Sequence, residues 1–302
     1  MHAMPLPDPD LRRTWLFGPG ASPRAHDAML ASGADALIVD LEDFTPPERR
    51  DEARRLLAAL LPRWRAAGRI AAVRINAIEQ ADGAADLAAA MPARPDVIAL
   101  PMATSAEQMR RLDDAIAGHE AALGIAGGAT EILPVCETAL GVADVRSIAR
   151  ATARIRCALL GAEDLAADLC AERHPDAIEL DHARRRFLLD CRAARIEPID
   201  APYTFSDVEG AVREACDARR LGYRSKSLVR PEHAPALNEA LTPDANALRR
   251  AAAIVEAFEA ARAAGEDRAL VDGLWVEVPT YRNAQRLIER ARRLGRRVDG
   301  GG

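Results

Sequence analysis

The chain has 302 residues, 49% of them apolar and 29% charged, which excludes a fibrous or disordered chain and allows one large core or two modest ones. Its formal charge is −5, with 41 basic residues interleaved among 46 acidic ones, so no basic face for nucleic acid emerges and a small-molecule partner is expected. No stretch approaches the roughly 20 apolar residues of a bilayer span, and MHAMPLPDPDLR lacks the apolar run of a signal peptide; a cytoplasmic protein with no membrane partner is expected.

In chain order, short β-rich runs alternate with helical patterns. The predicted strands are TWLF (14–17), ALIV (36–39), IAAVRI (70–75), VIAL (97–100), EILPV (131–135), CALL (157–160), EPID (197–200) and SKSLV (225–229). Between them lie SPRAHDAMLAS, PPERRDEARRLLAALL, SAEQMRRLDDAIAG, LGVADVRSIARA and SDVEGAVREACDARRLG, several opening on the Ser, Asp or Pro that begins helices. Strands apolar throughout are buried on both faces, as in a parallel sheet covered by helices. Eight such units are the arithmetic of a (β/α)8 TIM barrel. An open doubly wound sheet is the alternative, but no GxGxxG follows the first strand.

Residues 1–240 are therefore read as the barrel, and 241–302 as a C-terminal helical extension packing on the barrel or on a neighbouring subunit. The extension holds the helical patterns NALRRAAAIVEAFEAARAAG and TYRNAQRLIERARRLG around ALVDGLWVEVP, and ends in RRVDGGG, expected to be disordered. The cysteines Cys136, Cys157, Cys170, Cys191 and Cys216 form no CxxC pair, so reduced, mostly buried thiols are expected.

In such a barrel, function collects just beyond the strands' C-terminal ends. Those positions hold Asp40, Glu42 and Asp43 after the second strand, Arg74 and Asn76 at the third, and Met102 after the fourth. Glu137 and Thr138 follow the fifth, Gly161 and Asp164 the sixth, Asp200 and Tyr203 the seventh, and Arg230 the eighth. Carboxylates converging on one mouth raise each other's pKa unless a cation sits among them, and oxygen-only ligands suit Mg2+ or Mn2+. An arginine in an apolar strand is costly if unpaired, so Arg74 is a candidate clamp for a substrate carboxylate. Asp40 is read as a cap or brace of the rim. Of GAEDLAAD, Asp164 stands just beyond the sixth strand, Glu163 is expected to face solvent or the helix dipole, and Asp168 to brace the site. Lys226 is the only lysine and a candidate for Schiff-base chemistry; its alternative reading is a partner of a barrel carboxylate.

RRTWLFGPG, LIVDLED, VRIN, LPVCETALGV and LLGAEDLAADL, in this order and at these spacings, resemble the citrate lyase β-subunit-like (CoA ester lyase) branch of the HpcH/HpaI aldolase family. The likeness reaches the DGxxVExP segment near the C-terminus. It implies a trimeric or hexameric barrel that uses Mg2+ to make or break a carbon–carbon bond beside a 2-oxo acid or an acyl-CoA thioester. It places the metal on Glu137 and Asp164 and the substrate carboxylate on Arg74, supported by the backbone N–H groups of Gly161 and Ala162. Metal-bound waters fall to Glu42 and Asp43. Where relatives carry a PKVES-like segment this chain has PMATS, with Met102 and Thr104, and where they carry an IHP-like triplet it has Val229, Arg230 and Pro231. Where they present an aspartate to a neighbour's site as acid or base, it has Glu277. The expected activity is cleavage of a short 3-hydroxyacyl-CoA such as citryl-, malyl- or citramalyl-CoA. A thioesterase or 2-oxo-acid aldolase on the same scaffold, or a CoA-ester-binding subunit without lyase activity, are the alternatives.

Overall fold

All eight predicted strands form, and they close on one another. The computed structural model describes residues 6–296. The strands are β1 (Thr14–Pro19), β2 (Ala36–Asp40), β3 (Ile70–Arg74), β4 (Val97–Leu100), β5 (Glu131–Cys136), β6 (Cys157–Leu160), β7 (Glu197–Asp200) and β8 (Ser225–Leu228). Each pairs in parallel with its sequence neighbours, and β8 returns to β1, giving a (β/α)8 barrel.

Alternation along each strand sorts its residues into two sets. Trp15 and Phe17, Ala36 and Ile38, Ile70 and Ala72, Leu133 and Val135, and Cys157 and Leu159 form one cluster with Ile199, the packed barrel interior. The intervening residues, such as Leu37, Val39, Ala71, Val73, Ile98 and Leu160, are also fully buried, beneath the helices. This double burial is why the strands read as unbroken apolar runs.

Helix starts follow their caps. Ser105 and Gln108 form a reciprocal capping box at Ala106–Ala122, and Asp207 caps Val208–Leu221, which Gly222 ends at φ 117°. LGVADVRSIARA, expected as one helix, forms two, Ala139–Ala143 and Val145–Ala149, because Asp144 (φ −102°, ψ 8°) leaves helical geometry between them. Among the described residues no helix is long and apolar enough to cross a membrane.

The chain divides into two units after Asn238. Within the second, the helices Ala245–Ala263 and Val278–Arg293 pack through Ala251, Ile254, Phe258 and Ala284, with the Phe258 and Tyr281 rings stacked at 4.8 Å. This unit is not purely helical: β9 (Ala269–Val271) and β10 (Leu274–Val276) form an antiparallel hairpin whose turn residues, Asp272 and Gly273, both have positive φ. The Asp-Gly pair is the sequence signal for that turn. Beyond Arg296, the tail expected to be disordered lies outside the described residues.

Candidate active site

The inward set of four strands ends in polar or glycine positions. Ala36 and Ile38 lead to Asp40, Ile70 and Ala72 to Arg74, Leu133 and Val135 to Glu137, and Cys157 and Leu159 to Gly161. Period-two geometry therefore places these four at the C-terminal mouth of the interior. Asp40 and Arg74 are also register partners across β2 and β3.

Arg74 is 5% exposed and held by carboxylates. Its Nε donates to Asp40 Oδ1 at 2.9 Å and its Nη2 to Oδ2, a fork on one buried carboxylate. Nη1 lies 2.9 Å from Glu42 and 3.7 Å from Asp43, and the guanidinium stands 5.3 and 5.7 Å from the Phe17 and Phe44 ring centres. Burial opposes the charge, but Asp40, Glu42 and Glu137 outweigh it and hold the guanidinium pKa above its ordinary value. Asp40, fully buried, also accepts the N–H groups of Glu42 and Phe44. It fixes both the arginine and the loop that carries the other two acids.

Burial, with Asp43 and Asp40 nearby, pushes Glu42 up to about 7 against the pull of Arg74. Its buried Oε2 has no hydrogen-bond partner; the 2.9 Å approach of Arg74 Nη1 is an ion pair without hydrogen-bond alignment.

Glu137 follows β5 and is 4% exposed. It accepts the Met102 N–H at 2.7 Å, a bond that Met102 reaches in a left-handed conformation (φ 49°). Burial lifts Glu137 to about 7, with Asp164 and Glu42 adding to the rise. Asp164, exposed in the first turn of the helix Glu163–Asp168, is also raised, by partial burial and then by Asp43. Asp168, one turn on, accepts the N–H of Ala139 at 2.7 Å and so ties this helix to the loop carrying Glu137. Gly161 is required by packing: a Cβ there would lie 2.4 Å from Glu137 Cβ and 2.9 Å from Oε2. The Gly161 N–H donates to the Cys136 carbonyl at 3.0 Å, so of the two amides expected to face a substrate it is already engaged, leaving that of Ala162.

The mouth gathers Asp40, Glu42, Asp43, Glu137 and Asp164 around one guanidinium. Three of the five have raised pKa values, because burial and mutual repulsion among the acids outweigh what one guanidinium offsets. Among the described residues no three His, Cys, Asp or Glu side chains converge as a ready-made metal cage. Two carboxylates completed by water and substrate oxygens are how a hard divalent ion such as Mg2+ is commonly held, and this donor set fits one.

Other expected residues are occupied elsewhere. Lys226 Nζ donates to Asp200 at 2.7 Å, to the Ala201 carbonyl at 2.5 Å and to Glu214. All three protons are used, and neighbouring Ile199 rather than Asp200 belongs to the interior cluster, so Lys226 faces the outer helices and is unfit as a Schiff-base nucleophile. Asp200 is further clamped by Arg184 at 2.9 and 2.7 Å. Asn76 binds the Leu41 carbonyl and Asp86 and is structural. Glu163 pairs with Arg173 at 3.0 Å and accepts from Thr204, bridging two loops as well as facing solvent. Glu277 stands exposed at the start of the helix Val278–Arg293 in the second unit, its side chain making no cap. Missing from the sequence reading are the Phe17 and Phe44 rings around Arg74 and the Met102 amide on Glu137, none of which leaves a signal in one sequence.

Fold and site together define a (β/α)8 barrel whose mouth is an acidic, arginine-anchored centre suited to a divalent cation and a carboxylate-bearing ligand. Residues 13–231 match the HpcH/HpaI aldolase/citrate lyase family, and the chain belongs to it. It is 32% identical over 285 residues to the citrate lyase subunit beta of Haemophilus influenzae, covering 93% of this chain and 97% of that protein. It is 28% identical over 308 residues to the L-malyl-CoA/beta-methylmalyl-CoA lyase of Cereibacter sphaeroides, covering 95% and 96%. Among solved structures, the protein CitE of Mycobacterium tuberculosis in complex with magnesium, acetoacetate and coenzyme A superposes with a TM-score of 0.76 at 28% identity, covering 92% of this chain and 97% of that one.

Proposed function

We propose that the chain is a metal-dependent carbon–carbon lyase that cuts a short 3-hydroxyacyl-CoA into a 2-oxo acid and an acyl-CoA such as acetyl-CoA. The observation that carries this is the single buried guanidinium of Arg74 among Glu42, Glu137 and Asp164 at the mouth of the barrel. Similarity to a citrate lyase subunit and a malyl-CoA lyase, and to a structure holding magnesium and coenzyme A, supports it.

Bound Mg2+, for which Mn2+ can substitute, supplies Lewis-acid stabilisation of the oxyanion charge that develops during cleavage. Glu137 and Asp164 hold the ion, and Glu42 and Asp43 hold its waters. Arg74 binds the substrate carboxylate, its angle set by Asp40, and the Ala162 N–H at the helix start adds a donor. Breaking the bond between the α-carbon and the hydroxyl-bearing carbon sends its electron pair to the thioester's α-carbon. The hydroxyl gives its proton to a base as the 2-oxo group forms, and the conjugate acid of that base returns a proton to the α-carbon, so the protons balance. We assign that proton transfer to Glu277 of a neighbouring subunit in a homotrimer or hexamer, its carboxylate one methylene further from the backbone than an aspartate's.

The test is a screen of citryl-, malyl- and citramalyl-CoA with and without EDTA. The reading expects cleavage of at least one thioester, abolished by chelation; turnover unaffected by EDTA would sink the metal's role.

A further inference from the structure

The same mouth limits how much negative charge a substrate can bring. Among the described residues its inward layer holds one cation, Arg74, already facing Asp40, Glu42 and Asp43. Other cations in the loops beyond the strands pair elsewhere: Arg49 with Glu52, Arg50 with Asp82, and Arg173 with Glu163 and Glu179, while Arg230, after the eighth strand, meets Glu232 at 3.4 Å and keeps a buried Nε without a partner. Arg24, exposed in the first turn of the helix Pro23–Ala31, stands outside the inward layer. Even with a divalent ion bound, carboxylates outnumber positive charges, so a second free carboxylate on the substrate would enter an already negative site with no partner.

Where that second carboxylate would need a cation, the loops offer apolar side chains. Met102, whose amide is bonded to Glu137, is 44% exposed; Leu140, three residues past Glu137, is 57% exposed; and Phe44, beside Arg74, is 40% exposed. Solvent-facing apolar groups around a polar centre are the pattern of a pocket that orients with a few polar contacts and selects with apolar ones.

We infer that the preferred substrate carries a single free carboxylate, as malyl- and citramalyl-CoA do, that citryl-CoA, which carries two, is rejected, and that Met102 is a specificity-determining residue. This rests on the lyase reading above. Cleavage then releases acetyl-CoA with glyoxylate or pyruvate rather than oxaloacetate, the proton and electron balance being that already given.

Two measurements on the full-length protein in Mg2+ decide it: kcat/KM for the three thioesters, and calorimetric binding of pyruvate against oxaloacetate. Citramalyl-CoA should exceed citryl-CoA by at least about tenfold, since a second carboxylate loses hydration in an already negative site without gaining a partner. Pyruvate should bind more tightly than oxaloacetate. Met102→Lys should move both ratios toward the dicarboxylate by about tenfold, the effect of one added ion pair in a partly dry site. Equal or better use of citryl-CoA, with oxaloacetate bound as tightly as pyruvate, overturns the inference; unchanged ratios in Met102→Lys overturn the part given to Met102. If no thioester is cleaved, the lyase reading fails, while the order of keto-acid binding still decides the charge limit.

Discussion

Replacing Gly161 by alanine tests the geometry of the site with one methyl group. The added Cβ would sit 2.4 Å from Glu137 Cβ, more than 1 Å inside the roughly 3.5–4.0 Å of a normal carbon contact. The other close atom is Glu137 Oε2 at 2.9 Å, so the strain falls on the carboxylate proposed to hold the metal. Overpacking of this kind costs about 1–3 kcal/mol, which lowers Tm by a few degrees in a protein of this size. A displacement of about 1 Å at a reacting centre costs roughly a hundredfold in rate. Gly161→Ala should therefore lose about two orders of magnitude in kcat while remaining folded, read by thermal unfolding and by thioester cleavage in saturating Mg2+. Gly118, in the helix Ala106–Ala122 with nothing within 4 Å of its added Cβ, is the control, and Gly118→Ala should gain about 0.5–1 kcal/mol with activity unchanged. Turnover of Gly161→Ala within a few-fold of wild type would refute the placement of Glu137 at the reacting centre.

Asp40→Ala leaves the buried Arg74 without its forked partner and should cost about 3–5 kcal/mol in denaturant unfolding. Lys226→Met removes the cation shared by Asp200 and Glu214 and should also destabilise by a few kcal/mol, while borohydride reduction with pyruvate leaves Lys226 of the wild-type protein unlabelled. Glu137 has its pKa raised from 4.5 to about 7, so the folded metal-free protein favours the neutral carboxyl: this contribution is full below about pH 4.5 and is lost as pH rises through 7. Mg2+ needs the ionised form, so its apparent affinity should weaken as pH falls below about 7, read by calorimetry across that range.

The barrel was legible because each strand is buried on both faces and several loops carry a helix start signal, as Ser22, Ser105, Thr138 and Asp207 do. Arg74 stood out for a related reason, since a guanidinium has no cheap place in an apolar strand. Asp40 was read as a brace of the rim and is one, but that it braces Arg74 depends on the pairing of β2 with β3, which one sequence does not state. Gly161 was read as a backbone donor to a substrate carboxylate, whereas its lack of a side chain serves packing against Glu137, a contact made only when β5 and β6 lie side by side. The split of LGVADVRSIARA at Asp144 was hidden by apolar spacing that continues across it. Lys226 drew notice by its rarity, yet its burial by Asp200 and Glu214 comes from elements far apart in sequence.

Asp164→Asn probes whether Glu137 and Asp164 hold a divalent ion required for cleavage. Asp164 is exposed and caps nothing, so the substitution should change stability by no more than about 0.5 kcal/mol. Calorimetric titration of Mg2+ into wild type and variant, paired with thioester cleavage on the same samples, is the measurement. Mg2+ binding and Mg2+-dependent cleavage are expected in the wild type, and loss of both in a folded Asp164→Asn. Wild-type Mg2+ affinity and turnover in the variant would contradict this assignment of the ion.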